Sequence, residues 1–155
     1  MKTGNGKTGR PISFDKDAAL EAAMLLFWER GYEGTSMADL VQAMGLNPSS
    51  IYAAYGDKQS LFSHAVKRYM ETRARYAEEA LAEPTLPKVV RALFDNTVAF
   101  LAGSGHPPTC MTLGGAAGCS PEAAPEKDIM TEMRTQNDRA MKERFLLARK
   151  AGELS

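Results

Sequence analysis

The sequence predicts an all-α chain. Two observations carry that prediction. In nearly every patterned stretch the apolar residues recur at the i, i+3, i+4 spacing of one helix face, and no run alternates at the period of two that a strand requires. Residues that start and stop helices also bracket those stretches in the right order. With 155 residues, 44% apolar and 25% charged, the chain is of ordinary globular composition and long enough to bury a core.

The first helix spans Asp15 to Arg30. Leu20, Ala23, Met24, Phe27 and Trp28 form its inner stripe, Asp15 is the N-cap and Gly31 the stop. "SMADLVQAMG" follows. Ser36 and Asp39 stand at capping-box spacing, Met37, Leu40, Val41 and Met44 share one face, and Gly45 ends the helix. A third helix opens at Asn47 with Pro48 in its first turn, and Gly56 breaks it after Tyr55. Asp57 caps a fourth helix that carries Leu61, Phe62, Ala65, Val66 and Tyr69 and is predicted to run to about Leu81, before Pro84.

Residues 86–102 read as a fifth helix with an apolar face of Val89, Val90, Leu93, Phe94, Val98 and Leu101. "GSGHPP" is a loop. "TCMTLGGAAGC" is predicted as a short buried helix, and residues 126–150 as a long charged one with Ile129, Met133, Met141, Phe145 and Leu146 inside.

Bulk charge names no partner, because 19 basic side chains balance 19 acidic ones. The local exception is "MKTGNGKTGR", where Lys2, Lys7 and Arg10 face no acid; residues 1–12 are expected to be a flexible basic arm. No run of 18 apolar residues predicts a membrane span, and the N-terminus lacks the apolar core of a signal peptide. Cys110 and Cys119 are too few for a disulfide framework, so the expected setting is the cytoplasm with reduced thiols. Nothing resembles a nucleophile elbow, a phosphate loop after a strand, a paired-carboxylate cleft or an HExxH zinc site. The reading is therefore not an enzyme, and no cofactor is implied.

The abrupt third helix suggests a use. The second and third helices are joined by Gly45, Leu46 and Asn47, the layout of a helix-turn-helix. A short helix braced across its neighbour can project one face into the major groove of DNA. Ile51 and Tyr55, four apart, point inward. Pro48, Ser49, Ser50, Tyr52 and Ala53 remain on or near the outer face. Lys58 stands in the first turn of the fourth helix, where a cation opposes the helix dipole; holding a phosphate would account for it.

"GYEGTSMADLVQAMGLNPSSIYAAYGDKQSLF" resembles the DNA-binding domain of the TetR/AcrR family of bacterial transcriptional regulators. The resemblance covers roughly residues 10–70 and includes the spacing of Gly31, Thr35, Ala38, Gly45, Ile51, Tyr52, Tyr55, Lys58 and Leu61. It implies a helix-turn-helix DNA-binding domain over 13–58 and a helical ligand-binding and dimerisation domain over 59–155. It also implies a regulator that binds operator DNA as a homodimer and is released by a small effector.

Carried over by position, Tyr52, Lys58, Thr35 and Ser36 would hold backbone phosphates. Ser49 and Ser50 would lie near base edges, Ala53 against a thymine methyl, and Lys7 and Arg10 along the minor groove. The recognition helix itself has no Arg, Lys or Gln, so bidentate base reading is absent from it. The first 62 residues carry six basic and seven acidic side chains, which predicts a shallow salt dependence. Family members have two more helices after a segment like 126–150. The regulatory domain is accordingly read as C-terminally short, which leaves open how this chain would dimerise.

Candidate effector-pocket residues are Phe94, Val98, Cys110, Met111, Leu113 and Met133. Cys110, Cys119 and His106 invite a metal or thiol reading. Their spacing matches no standard zinc pattern, though two thiolates and an imidazole would suit Cu(I) or Zn(II) if the loop folded back. The plainer reading is two small buried cysteines beside a loop histidine. The alternatives to a ligand-released repressor are thus a thiol- or metal-responsive sensor using Cys110 and Cys119, and a truncated helical partner without DNA binding of its own.

Overall fold

A computed structural model describes residues 14–114 and 124–154. Its helices, in chain order, are α1 (Lys16–Arg30), α2 (Met37–Met44), α3 (Pro48–Tyr55), α4 (Lys58–Thr72), α5 (Arg75–Leu81), α6 (Leu86–Ala102), α7 (Met111–Gly114) and α8 (Ala124–Lys150). No strand occurs among the described residues.

The first four helices begin as their capping residues dictate. Asp15 Oδ1 accepts from the N–H groups of Asp17 and Ala18 at 3.0 and 3.1 Å. Ser36 and Asp39 close a reciprocal capping box. Asn47 Oδ1 accepts from Ser50 N–H at 2.8 Å, and Asp57 Oδ1 from Ser60 N–H at 2.7 Å. Each cap satisfies an N–H that the first turn of a helix leaves without an intrahelical partner. Gly56 ends α3 at φ 79°, a backbone region that disfavours any side chain.

The helix predicted from Asp57 to Leu81 is two helices. α4 stops at Thr72, where the N–H groups of Arg73 and Ala74 both turn back to the Tyr69 carbonyl. No Gly or Pro marks the break, so nothing local signals it. Tertiary bonds hold it: the Arg73 guanidinium reaches Glu21 of α1 at 2.6 Å, and Asn96 of α6 donates to the Tyr76 carbonyl at 3.2 Å. The expected domain division at 58–59 falls in the first turn of α4.

One core joins the N-terminal helices to the C-terminal ones. Met24, Phe27 and Trp28 of α1 pack in it with Leu40, Ile51, Leu61, Phe62, Val66, Tyr69, Met111 and Met130. A smaller cluster of Leu86, Val89 and Ala148 joins α6 to α8, with Val90, Leu93 and Phe145 against it. The inner stripe predicted for α6 is therefore only half right. Val89 is buried, but Phe94 and Val98 are 69% and 65% exposed. A helix apolar over so wide an arc needs cover on two sides, and α5 and α8 supply one. Met141 and Leu146 of α8, also predicted inside, are exposed. The segment predicted as a buried helix yields four residues of α7, with Met111 and Thr112 buried and Leu113 exposed. The basic arm lies outside the described residues.

Candidate nucleic-acid interface

α3 divides its side chains cleanly. Ile51 and Tyr55 are buried, and the Tyr55 hydroxyl donates to the Lys16 carbonyl at 2.9 Å, pinning α3 to the first turn of α1. Pro48, Ser49, Tyr52 and Ala53 are exposed, Tyr52 by 50%, and Ser50 is half-buried. The Ser49 hydroxyl donates to Asn47 Oδ1 at 2.8 Å, so its oxygen lone pairs remain to meet a donor.

The residues expected to meet the DNA backbone, apart from Tyr52 and the arm, lie at the flanks of α3. Ser36, at the start of α2, is exposed, and its hydroxyl bonds the Asp39 carboxylate. The Ser36 hydroxyl and N–H, helped by Arg30, hold the Asp39 carboxyl below its ordinary range, so it stays ionised. Hydrogen bonds from Ser60 do the same for Asp57. Thr35 is placed otherwise than expected. It is fully buried, and its hydroxyl donates to the Gly31 carbonyl at 2.7 Å, which commits it to the turn and removes it from the set of direct phosphate contacts. The Lys58 ammonium lies 4.2 Å from the centre of the Tyr32 ring, a residue that sequence reasoning passed over. Lys7 and Arg10 lie outside the described residues.

A second feature invisible in the sequence ties this face to α4. Glu21 of α1 accepts from Arg68 Nε and from Arg73, each at 2.6 Å, and Arg68 also meets Asp17 at 3.2 Å. Burial alone would raise the Glu21 pKa; the two guanidinium bonds and charges outweigh it and lower it. Partners 47 and 52 residues apart leave no local spacing to read.

The expected effector residues are scattered. Phe94 lines a cleft of about 630 Å³ with Leu86, Val90 and Leu154. Met111 is buried, Cys110 and Met133 pack against the main core, and Val98 and Leu113 stand exposed. A narrower cleft of about 290 Å³ between α4, α5, α6 and α8 is lined by Met70, Ala74, Leu81, Leu93, Asn137 and Met141.

Two of the three candidate metal ligands, Cys110 and His106, fall among the described residues. The Cys110 sulfur takes the Tyr69 hydroxyl at 3.5 Å and lies 3.1 Å from Thr112 Oγ1; burial and this sulfur push the Tyr69 hydroxyl pKa up. The His106 ring is stacked on Trp28 and Phe100 at 4.9 and 4.7 Å, and its Nδ1–H donates to the Pro107 carbonyl at 2.9 Å. Cys119 lies outside the described residues. Among the described residues no three His, Cys, Asp or Glu side chains are placed to hold a metal. Nor is any helix among them long and apolar enough to cross a membrane.

A projecting α3, seated on α1 and flanked by the starts of α2 and α4, defines a helix-turn-helix protein. Comparison with known proteins gives the family. Residues 19–65 match the model of bacterial regulatory proteins, tetR family. The chain is 32% identical over 149 residues to the HTH-type transcriptional repressor ComR of Escherichia coli (strain K12), covering 94% of this chain and 70% of ComR. It is 31% identical to the HTH-type transcriptional regulator YezE of Bacillus subtilis (strain 168), covering 95% and 76%. Its fold is similar to that of a cysteine mutant of the TetR family transcriptional regulator CifR, solved with 26-base-pair double-strand operator DNA: TM-score 0.89, 36% identity, 94% of this chain and 77% of that one. The chain belongs to the tetR family of bacterial regulatory proteins.

Proposed function

We propose that this chain is a sequence-specific DNA-binding transcriptional regulator, a repressor that binds operator DNA as a homodimer and leaves it when a small effector binds the helical region after α3. Such a protein works in the bacterial cytoplasm, where the DNA is. The observation that carries the reading is the division of α3, with Ile51 and Tyr55 anchored and Pro48, Ser49, Tyr52 and Ala53 presented. The family and the operator-bound CifR relative support it.

In this reading Tyr52 and Lys58 contact phosphates, and the exposed Ser36 joins them by turning its hydroxyl from Asp39 to the phosphate, which fixes register, while Ser49, Ser50 and Ala53 face base edges. One polar group at a time discriminates modestly, so groove shape carries part of the specificity. Lys7 and Arg10 are assigned to the neighbouring minor groove. The effector enters the cleft bounded by Met70, Leu93 and Met141, because a ligand there touches α4 and α8 together. The test is a fluorescence-anisotropy titration with a duplex from upstream of its own gene and a scrambled duplex, at several salt concentrations. Tighter binding to its own duplex, weakening with salt, supports the reading. Equal affinity for the two overturns it.

A further inference from the structure

We propose that Tyr32 is a positioning residue for the DNA contact of Lys58: its ring aims the ammonium that meets the phosphate backbone. The proposal rests on the reading of Lys58 as a phosphate contact, and its test separates the two.

Three observations lead to it. First, the Tyr32 ring is held from two sides, stacked with Phe27 at 6.2 Å and edge-on to Phe62 at 5.2 Å, and both partners are fully buried. Its face is therefore a fixed surface. Second, the Lys58 ammonium sits over that face at 4.2 Å, within the range at which a ring quadrupole attracts a cation. Phe62 lies four residues after Lys58 on α4, so the residue that holds the ring and the residue that uses it are stacked on one side of the helix. Third, Lys58 is the first residue of α4, where the positive end of the helix dipole repels an ammonium. The negative face of the ring offsets that repulsion locally.

The functional consequence is one of order. A lysine stem is flexible, and fixing it on a phosphate loses rotamer freedom. The ring restricts the stem before DNA arrives. Tyr32 also belongs to the turn that leads into Ser36, so one rigid ring ties the start of α4 to the start of α2, the two places assigned to the backbone. An aromatic residue is needed here for its π face, and the hydroxyl is dispensable to this role.

The experiment uses the whole chain and a duplex that the wild-type chain recovers from a random pool. Affinity is measured against salt for Tyr32→Phe, Tyr32→Leu, Lys58→Gln and the double variant Tyr32→Leu/Lys58→Gln, with thermal melts for each. Lys58→Gln is expected to reduce the slope of log K against log salt by about 0.9. Tyr32→Leu is expected to weaken binding about two- to five-fold when Lys58 is present, and to add nothing when it is absent. Tyr32→Phe is expected to stay within about two-fold of wild type, since the face is kept. If Tyr32→Leu weakens binding equally in both backgrounds, the ring only supports the fold and the proposal falls. If Tyr32→Phe loses as much as Tyr32→Leu, the hydroxyl acts and the proposal falls. If Lys58→Gln changes neither slope nor affinity, the phosphate reading of Lys58 fails and takes the proposal with it, while wild-type binding still reports on the function. Should Tyr32→Leu melt below the assay temperature, Tyr32→Met fills a similar volume without a π face and is judged by the same outcomes.

Discussion

Glu21→Gln tests the link between α1 and the C-terminal end of α4. In the wild type one carboxylate takes two guanidinium bonds at 2.6 Å, from Arg68 and Arg73. Glutamine keeps the shape and one acceptor but loses the charge. A hydrogen bond to a charged group contributes about 1.5–3 kcal/mol when shielded, and an exposed ion pair about 0–1 kcal/mol. The Glu21 and Arg68 side chains retain 24% and 22% of their exposure and Arg73 35%, between those limits. The substitution is therefore expected to cost about 1–2 kcal/mol in all at neutral pH. For a chain of this size that lowers Tm by roughly 3–6 °C.

The pH dependence gives the sharper test. The folded-state pKa of Glu21 lies below its ordinary value of 4.5. The stabilisation it contributes is thus fully present above that value and is lost as pH falls through the lower folded-state pKa. Urea unfolding of wild type and variant, taken from pH 7.5 to well below pH 4, should show a gap that is constant above the ordinary value of 4.5 and narrows progressively below it. Asp39 and Asp57, also depressed, are present in both proteins and cancel in the difference. No gap at pH 7.5, or a gap that does not narrow in acid, would refute the two-armed carboxylate as a stabilising link.

Three further outcomes are expected. Tyr55→Phe removes one part-buried hydrogen bond and should cost about 1 kcal/mol, lowering Tm by about 3 °C in a thermal melt. Gly45→Ala and Gly56→Ala should differ. Gly45 turns left-handed at φ 64° with open space around it, so the added methyl should cost about 1 kcal/mol, whereas Gly56 at φ 79°, with Ser60 Cβ 3.3 Å from the added methyl, should cost about 2–3 kcal/mol by chemical denaturation. Ser36→Ala loses the capping hydroxyl and should destabilise α2 by about 1 kcal/mol while weakening DNA binding, seen as a lower Tm and a higher Kd in the same preparation.

The N-terminal helices were legible because their signals are local. Asp15, Ser36, Asn47 and Asp57 cap within three residues of themselves, and Gly31, Gly45 and Gly56 stop what they follow. Periodicity then placed Ile51 and Tyr55 inside and Tyr52 outside. The break at Thr72 was illegible because bonds from α1 and α6 hold it. The exposed stripe of α6 was illegible for the opposite reason: periodicity marks which residues are apolar and is silent on whether a neighbour covers them. Thr35 was misread because a hydroxyl near a helix start serves a turn as well as it serves a phosphate. Tyr32 was missed because its use depends on a lysine 26 positions later in the chain.

The one tryptophan of the chain stands where the two halves meet. Its ring lies on His106 at 4.9 Å and on Phe100 at 5.7 Å, edge-on to Tyr69, and its Nε1–H donates to the Thr109 carbonyl at 3.0 Å. The backbone that carries it is α1, which also braces α3. Trp28 is thus a built-in optical gauge. Any shift of residues 100–109 against α1 alters the stacking and the hydrogen bond of the indole, and with them its emission. An unlabelled sample reports the movement of one half against the other through a single fluorophore, with no other tryptophan to subtract.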